Sequence, residues 1–162
     1  MKILGIDPGL NITGYGLVEV YPSNKIKLIE AGVVRTSGKI GISERLKKIY
    51  NNIGAIVREF KPETLVLEKL YSHYKHPTTS ILMSHARGVI CLLCGLNDIK
   101  LISYPSTRIK KAVAGNGHAS KVQIQKMVTE LLRLKKPPEP VDVTDALALA
   151  LSFVYIELRR PR

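Results

Sequence analysis

Cysteine is scarce in this sequence, which has two cysteines in 162 residues. Cys91 and Cys94 are spaced as a CxxC pair, but they lie within an apolar run and no second pair accompanies them. Positions i and i+3 share one face of a helix. The pattern therefore favours two buried core thiols over a redox or metal centre.

Long apolar runs are also missing, since no segment approaches the ~18 uninterrupted apolar residues of a membrane-spanning helix. The first apolar run ends at Asp7, before the apolar region of a signal peptide could develop, so we expect a cytoplasmic protein. With 45% hydrophobic and 23% charged residues, the composition is that of a soluble globular protein. The length predicts one domain over residues 1–162.

Acidic residues are fewer than basic ones. The chain has 13 Asp and Glu and 25 Lys and Arg, which gives a formal net charge of +12. This balance indicates a polyanionic partner, with nucleic acid ahead of an anionic membrane surface. Aspartate occurs at only four positions, which are Asp7, Asp98, Asp142 and Asp145. The placement of so few acids is therefore informative.

Hydrophobic periodicity divides the chain into short strands and amphipathic helices. Three β-rich runs separated by turns predict an antiparallel meander, and each later strand follows a helix. The expected strands are 2–6, 14–20, 26–35, 64–67 and 100–104, and the expected helices are 42–60, 78–95, 106–114, one opened by Ser120, and 141–157. Right-handed crossovers place the fourth strand parallel to the first, which predicts an α/β fold with a five-stranded mixed sheet of order 3-2-1-4-5.

Four acids occupy positions where removing an unpaired carboxylate from water would cost free energy. Asp7 ends the first strand, Glu68 ends the fourth, and the predicted sheet makes these strand ends neighbours. Asp142 and Asp145 share one face of the last helix. Taken singly, each could be a solvated turn residue or an acid at a helix N-terminus. Together they predict a cluster whose repulsion a divalent cation relieves, and all-oxygen ligands favour Mg²⁺ or Mn²⁺ over zinc.

Six short motifs, which include these acids, occur in order along essentially the whole chain, at residues 4–9, 13–16, 67–71, 86–88, 104–121 and 142–148. This ordered set resembles the RuvC family of Holliday junction resolvases. The resemblance implies an RNase H-like fold, a homodimer, and Mg²⁺-dependent nicking of two strands of a four-way DNA junction. The matching catalytic and metal-binding positions are Asp7, Glu68, Asp142 and Asp145.

The expected chemistry uses two metal ions per active site, with Mn²⁺ able to replace Mg²⁺. One ion would activate a water molecule and the other would stabilise the leaving 3′-oxygen, leaving a 5′-phosphate and a 3′-hydroxyl. Asp7 is the predicted bridging ligand, while Glu68 and the Asp142/Asp145 pair complete the two coordination spheres.

Six residues are predicted to contact DNA. By resemblance, Lys110 and Lys121 bind the junction backbone near the scissile phosphate, and the aromatic ring of Tyr71 could stack on an unpaired base. A solvated face for the lysines, and a ring that closes a loop over the core for Tyr71, are the competing explanations. The full set is Tyr71, Arg87, Arg108, Lys110, Lys111 and Lys121.

A homodimer interface is expected on the 78–95 helix, which has more apolar residues than one sheet-facing stripe requires. These residues are Ile81, Leu82, Met83, Val89, Ile90, Leu92 and Leu93. A branch-migration helicase is expected as a further partner. Three other interpretations of the sequence compete with this one. One lobe of an actin-like ATPase is excluded because the chain is too short. A catalytically silent junction- or RNA-binding module and a general RNase H or transposase core stay open.

Overall fold

The computed structural model describes residues 1–70 and 77–159, and for residues 77–79 it describes the backbone alone. Three strands come first, and each later strand follows a helix, as the periodicity predicts. The strands are β1 (Lys2–Asp7), β2 (Ile12–Val20), β3 (Ile26–Arg35), β4 (Thr64–Glu68) and β5 (Lys100–Tyr104). The helices are α1 (Ile42–Phe60), α2 (Pro77–Leu96), α3 (Ser106–Ala114), α4 (Lys121–Leu131) and α5 (Val141–Phe153), and a π-helical turn over Val154–Leu158 continues α5.

The five strands form one mixed sheet in the order β3-β2-β1-β4-β5. β1 pairs antiparallel with β2 and parallel with β4, and β4 pairs parallel with β5. The predicted α/β class and strand order are therefore confirmed. Because β1 and β4 run in the same direction as neighbours, Asp7 and Glu68 end at the same edge of the sheet.

Two apolar cores cover the two faces of this sheet, because successive side chains of a strand point to opposite faces. Ile3 of β1 packs with Leu147 and the rest of α5, whereas Leu4 packs with residues of α1 and α2. Cys94 is buried in the second core, and burial raises the pKa of its thiol to about 11. The predicted core position is thereby confirmed for Cys94, while Cys91 is partly exposed at the edge of the same core.

Glycines in β1 and β2 let α5 lie directly against the strands. A Cβ on Gly5 would stand 2.0 Å from the carbonyl oxygen of Ala146, and one on Gly14 would stand 2.1 Å from that of Asp142. Real Cβ atoms do not approach backbone atoms so closely. Any larger residue would therefore push the start of α5, with its two acids, away from β1.

Helix α4 begins with the capping box that the sequence predicts at Ser120. The Ser120 hydroxyl accepts a hydrogen bond from the Gln123 amide at 3.2 Å, and the Gln123 side-chain oxygen accepts one from the Ser120 amide at 2.8 Å. This cap defines the first turn of α4, where Lys121 lies. In the described part of the chain, no helix is long and apolar enough to cross a membrane.

Candidate active site

A cavity of about 330 Å³ opens at the edge of the sheet where β1 and β4 end. Asp7 enters it from β1, Glu68 from β4, and Asp145 from the second turn of α5. Its remaining lining comes from α3, α4 and α5: Ser106, Ile109, Lys110, Lys121, Ile124, Ala148 and Leu149. The structure thus brings together side chains separated by more than a hundred residues of sequence.

Asp7 is the electrostatic centre of the acid cluster. Its pKa is raised from 3.8 to about 7, first by burial and then by the negative charges of Asp145, Asp142 and Glu68. Lys121 acts in the opposite direction, but its effect is the smallest. Each of the other three predicted acids is therefore close enough to repel the charge of Asp7, including Asp142, which does not line the cavity itself.

Two lysines bring positive charge to the same cavity. The Lys121 ammonium lies 3.4 Å from Oδ2 of Asp145, and Lys110 lines the wall that α3 provides. The Lys121 side chain is 76% exposed, so water screens this ion pair and the amine remains accessible to an anionic ligand. The cavity therefore presents carboxylates and amines side by side.

The donor set of the cluster is suited to a hard divalent cation. Carboxylate oxygens are the ligands that Mg²⁺ and Mn²⁺ prefer, and the repulsion that raises the Asp7 pKa is what such a cation relieves. Within residues 1–70 and 77–159, no three acidic, histidine or cysteine side chains already converge on one point as ligands.

Three of the other predicted DNA contacts, which are Arg87, Arg108 and Lys111, do not line the cavity. Arg108 is exposed and its guanidinium lies over the Tyr104 ring, 5.1 Å from the centroid, and Lys111 is exposed on the same helix, α3. Arg87 is partly buried and hydrogen-bonded to protein atoms, as described below. Tyr71 falls outside the described residues.

Sequence reasoning missed part of the cavity wall. Ser106 begins α3 directly after Pro105, and its position at the mouth of the site follows from where β5 ends. Ile109, Ile124 and Leu149 contribute an apolar side that periodicity alone assigns to the core. The signal available in the sequence was the turn after β5, which returns the chain to the edge that holds Glu68.

The apolar residues of α2 divide between the core and the surface. Ile90 and Leu93 are 0% and 1% exposed and belong to the core, so they cannot contribute to a surface between subunits. Leu96, which was not predicted, is 61% exposed. The apolar residues that remain exposed on this helix are Ile81, Leu82, Leu92 and Leu96.

The sheet order and the acids at its edge define a protein of RNase H-like fold with an acidic cluster where β1 and β4 end. Residues 3–153 match the sequence model of the family described as crossover junction endodeoxyribonuclease RuvC. The protein of that name from Alkaliphilus metalliredigens is 42% identical over 155 residues, which are 96% of this chain and 93% of that protein. The chain therefore belongs to the RuvC family.

Solved structures agree with this assignment. The structure of Thermus thermophilus RuvC matches with a TM-score of 0.89 and 30% identity, covering 98% of this chain and 96% of that one. The T. thermophilus RuvC in complex with Holliday junction substrate matches with a TM-score of 0.87 and 30% identity, covering 96% and 93% of the two chains. The resemblance inferred from the motifs is confirmed.

Proposed function

We propose that this chain resolves four-way DNA junctions by Mg²⁺-dependent nicking at the Asp7 cavity. The observation that carries the proposal is a cluster of four carboxylates on a protein of net charge +12, in which burial and the charges of the other three acids raise the Asp7 pKa to about 7. Family membership supports the reaction class, and the similarity to a RuvC bound to Holliday junction substrate supports the four-way junction as the substrate.

The metal would be held by Asp7, Glu68, Asp142 and Asp145. When bound, a pair of divalent ions supplies an activated water and stabilises the departing 3′-oxygen, which corresponds to 5′-phosphate and 3′-hydroxyl products. Asp7 is central in this set because the other three acids all act on its charge. Its carboxyl must release its proton before it can serve as a ligand.

Lys110 and Lys121 would bind the phosphate that is cut. Lys110 belongs to α3 and Lys121 to α4, and both residues line the cavity. Their charge offsets the repulsion between the phosphate and the carboxylates, and it opposes the negative charge that develops on the phosphoryl oxygens. Arg108 and Lys111 lie on the exposed surface of α3 next to the cavity, where they extend the basic surface along the DNA backbone.

The acting species would be a two-fold symmetric homodimer. A four-way junction is itself approximately two-fold symmetric, and one acid cluster makes one nick per binding event. Helix α2 carries exposed Ile81, Leu82, Leu92 and Leu96, and an apolar stripe of this kind on a helix surface is typical of a subunit interface. Two copies joined along α2 would present two cavities to one junction.

We place the protein in the cytoplasm, because its proposed substrate is a DNA junction. A branch-migration helicase would be its natural partner, because moving the crossover brings new phosphates to a cavity of fixed position.

Cleavage of a synthetic four-way junction tests the proposal. The wild type should nick the junction in Mg²⁺, should be inactive in EDTA, and should leave a matched duplex and an RNA–DNA hybrid intact. Asp7→Asn should abolish nicking without loss of junction binding. The matched control is Asp98→Asn, because Asp98 lies in an exposed turn after α2, and it should cut like the wild type. Nicking by Asp7→Asn at the wild-type rate would overturn the assignment of the site.

A further inference from the structure

Arg87 joins helix α2 to the strand that ends at Glu68. Its guanidinium donates one hydrogen bond from Nη1 to the backbone carbonyl oxygen of Glu68, at 2.6 Å, and one from Nη2 to Oγ of Ser103, at 2.9 Å. Ser103 lies in β5, directly opposite Leu67 of β4. One side chain therefore connects three elements beside the acid cluster.

The sheet holds the backbone at Glu68 on one side and not on the other. The pairing of β4 with β1 extends through Val66, opposite Gly5, and does not reach Glu68. On the other side, Glu68 lies opposite Tyr104, and the Lys69 amide donates to the Tyr104 carbonyl oxygen at 2.9 Å. The bond from Arg87 to the Glu68 carbonyl is thus a second restraint at the point where the strand leaves the sheet.

The chemistry of the contact makes it a strong restraint. Hydrogen bonds from a charged donor are shorter and roughly twice as strong as neutral ones, and 2.6 Å is short for this class. A planar guanidinium that satisfies two acceptors at once also specifies an orientation, which a flexible ammonium would not. Both terminal nitrogens are therefore engaged with protein atoms rather than directed only at solvent.

We propose that Arg87 is a positioning residue that orients Glu68 toward the acid cluster, in place of the DNA contact that the motif suggests. By fixing the Glu68 carbonyl, it limits the backbone rotation that would swing the carboxylate out of the cavity. The inference rests on the proposed function to the extent that it takes Glu68 as a residue of the acid site.

The test compares four variants. Arg87→Met keeps much of the apolar stem and removes both hydrogen bonds, Arg87→Lys keeps the charge without the planar fork, and Ser103→Ala removes one of the two contacts. Lys111→Met is the matched control, because it neutralises an exposed basic residue of α3 that touches neither strand end.

Two measurements separate positioning from DNA binding. The first is Mn²⁺ affinity by calorimetry on the protein without DNA, together with the Mg²⁺ concentration that gives half-maximal junction cleavage. The second is junction affinity as a function of salt in EDTA, because loss of one phosphate contact lowers the slope of log K against log salt by about 0.9. Urea unfolding of each variant monitors general loss of structure.

Arg87→Met should weaken Mn²⁺ binding and raise the half-maximal Mg²⁺ concentration by ~10-fold or more, the usual effect of losing a residue that orients a metal ligand. Its salt slope should equal that of the wild type. Arg87→Lys should recover part of the Mn²⁺ affinity, and Ser103→Ala should shift it in the same direction as Arg87→Met but less. Lys111→Met should show the reverse pattern, with a lower salt slope and unchanged Mn²⁺ affinity.

A lower salt slope for Arg87→Met with unchanged Mn²⁺ affinity would overturn the proposal and make Arg87 a DNA contact. If Arg87→Met does not fold, Arg87→Lys and Ser103→Ala decide the question by the same two measurements, and wild-type Mn²⁺ affinity in both would overturn it. Failure of the folded wild type to cut any four-way junction would instead refute the proposed function, while the Mn²⁺ comparison would still test Arg87.

Discussion

At the scale of single residues, Asp7 couples the site to pH. Its pKa in the folded protein is about 7, against 3.8 for an ordinary aspartate, so the folded state binds an extra proton between these values. The stability associated with that proton is complete below pH 3.8 and is lost as the pH rises through 7. The metal-free protein is therefore destabilised by Asp7 in mildly alkaline solution.

Asp7→Asn should raise the free energy of unfolding in EDTA at pH 8, because an amide does not ionise and is therefore not repelled by the neighbouring acids. The gain should be at most roughly 4 kcal/mol, the equivalent of the full shift in pKa, and it should disappear near pH 4. Urea denaturation at several pH values measures it. Asp98→Asn is the control, and an equal gain for that variant would contradict the assignment to the cluster.

The two cavity lysines should matter more for the chemical step than for DNA affinity. Lys121→Ala or Lys110→Ala removes one of many phosphate contacts, so junction binding should weaken only slightly, whereas cleavage should slow by ~10²-fold because the charge near the reacting phosphate is lost. Single-turnover cleavage and binding in EDTA are the two measurements. The control is Lys126→Ala. Lys126 lies on α4 like Lys121, and its ammonium is 3.9 Å from a carboxylate oxygen of Glu130. Equal small losses in both assays would mean that the two lysines contribute only as general surface charge and not to the chemical step.

At the scale of elements, the contact between α5 and the sheet decides where half of the acids lie. Asp142 and Asp145 belong to a helix that is distant in sequence from β1, and they approach Asp7 because Gly5 and Gly14 remove the side chains that would hold the helix away. The glycines thus act through close approach rather than through unusual backbone angles. The strand periodicity of the sequence does not predict this close approach.

Gly14→Ala should therefore disturb the site as well as the fold. A methyl group 2.1 Å from the Asp142 carbonyl oxygen must displace α5, at a cost of about 1–3 kcal/mol in the free energy of unfolding. Junction cleavage should fall further than this loss of stability explains, because the two acids move with the helix. Thermal unfolding and single-turnover cleavage test it against Gly38→Ala, whose added Cβ would meet nothing within 4 Å. Full activity in Gly14→Ala would show that α5 adapts without moving its acids.

At the scale of the whole molecule, the homodimer that we propose would bring two cavities together through the exposed stripe on α2. Leu92 is 55% exposed in the isolated chain, and in a homodimer joined along α2 it would be buried against the partner copy. A lysine at this position would place two like charges in an apolar interface. The stripe therefore offers a direct way to separate assembly from catalysis.

Leu92→Lys should convert a dimer into a monomer in sedimentation equilibrium at micromolar concentration. The control is Leu158→Lys, because Leu158 is 41% exposed but lies in the π-helical turn after α5, and it should leave the dimer intact.

On a cruciform plasmid, wild type should give linear product, whereas mixed dimers of wild type and Asp7→Asn should give nicked circles. A monomeric wild type with unimpaired resolution would contradict the dimer.

Most of the fold could be predicted because the periodicity of apolar residues is a local property of the chain. The bounds of α1 and the order of the five strands match their predictions. The last helix was predicted as one unit over 141–157, but it changes to π-helical bonding after Phe153, and periodicity does not distinguish the two bonding patterns.

The sequence by itself determined which acids stand at the ends of buried strands and which share a helical face, since both follow from periods of two and 3.6 residues. Only the tertiary structure decided that Ile90 and Leu93 lie in the core while Leu92 lies on the surface, and that Arg87 faces Glu68. The physical reason is that periodicity defines the faces of an element, whereas packing against other elements determines what each face meets.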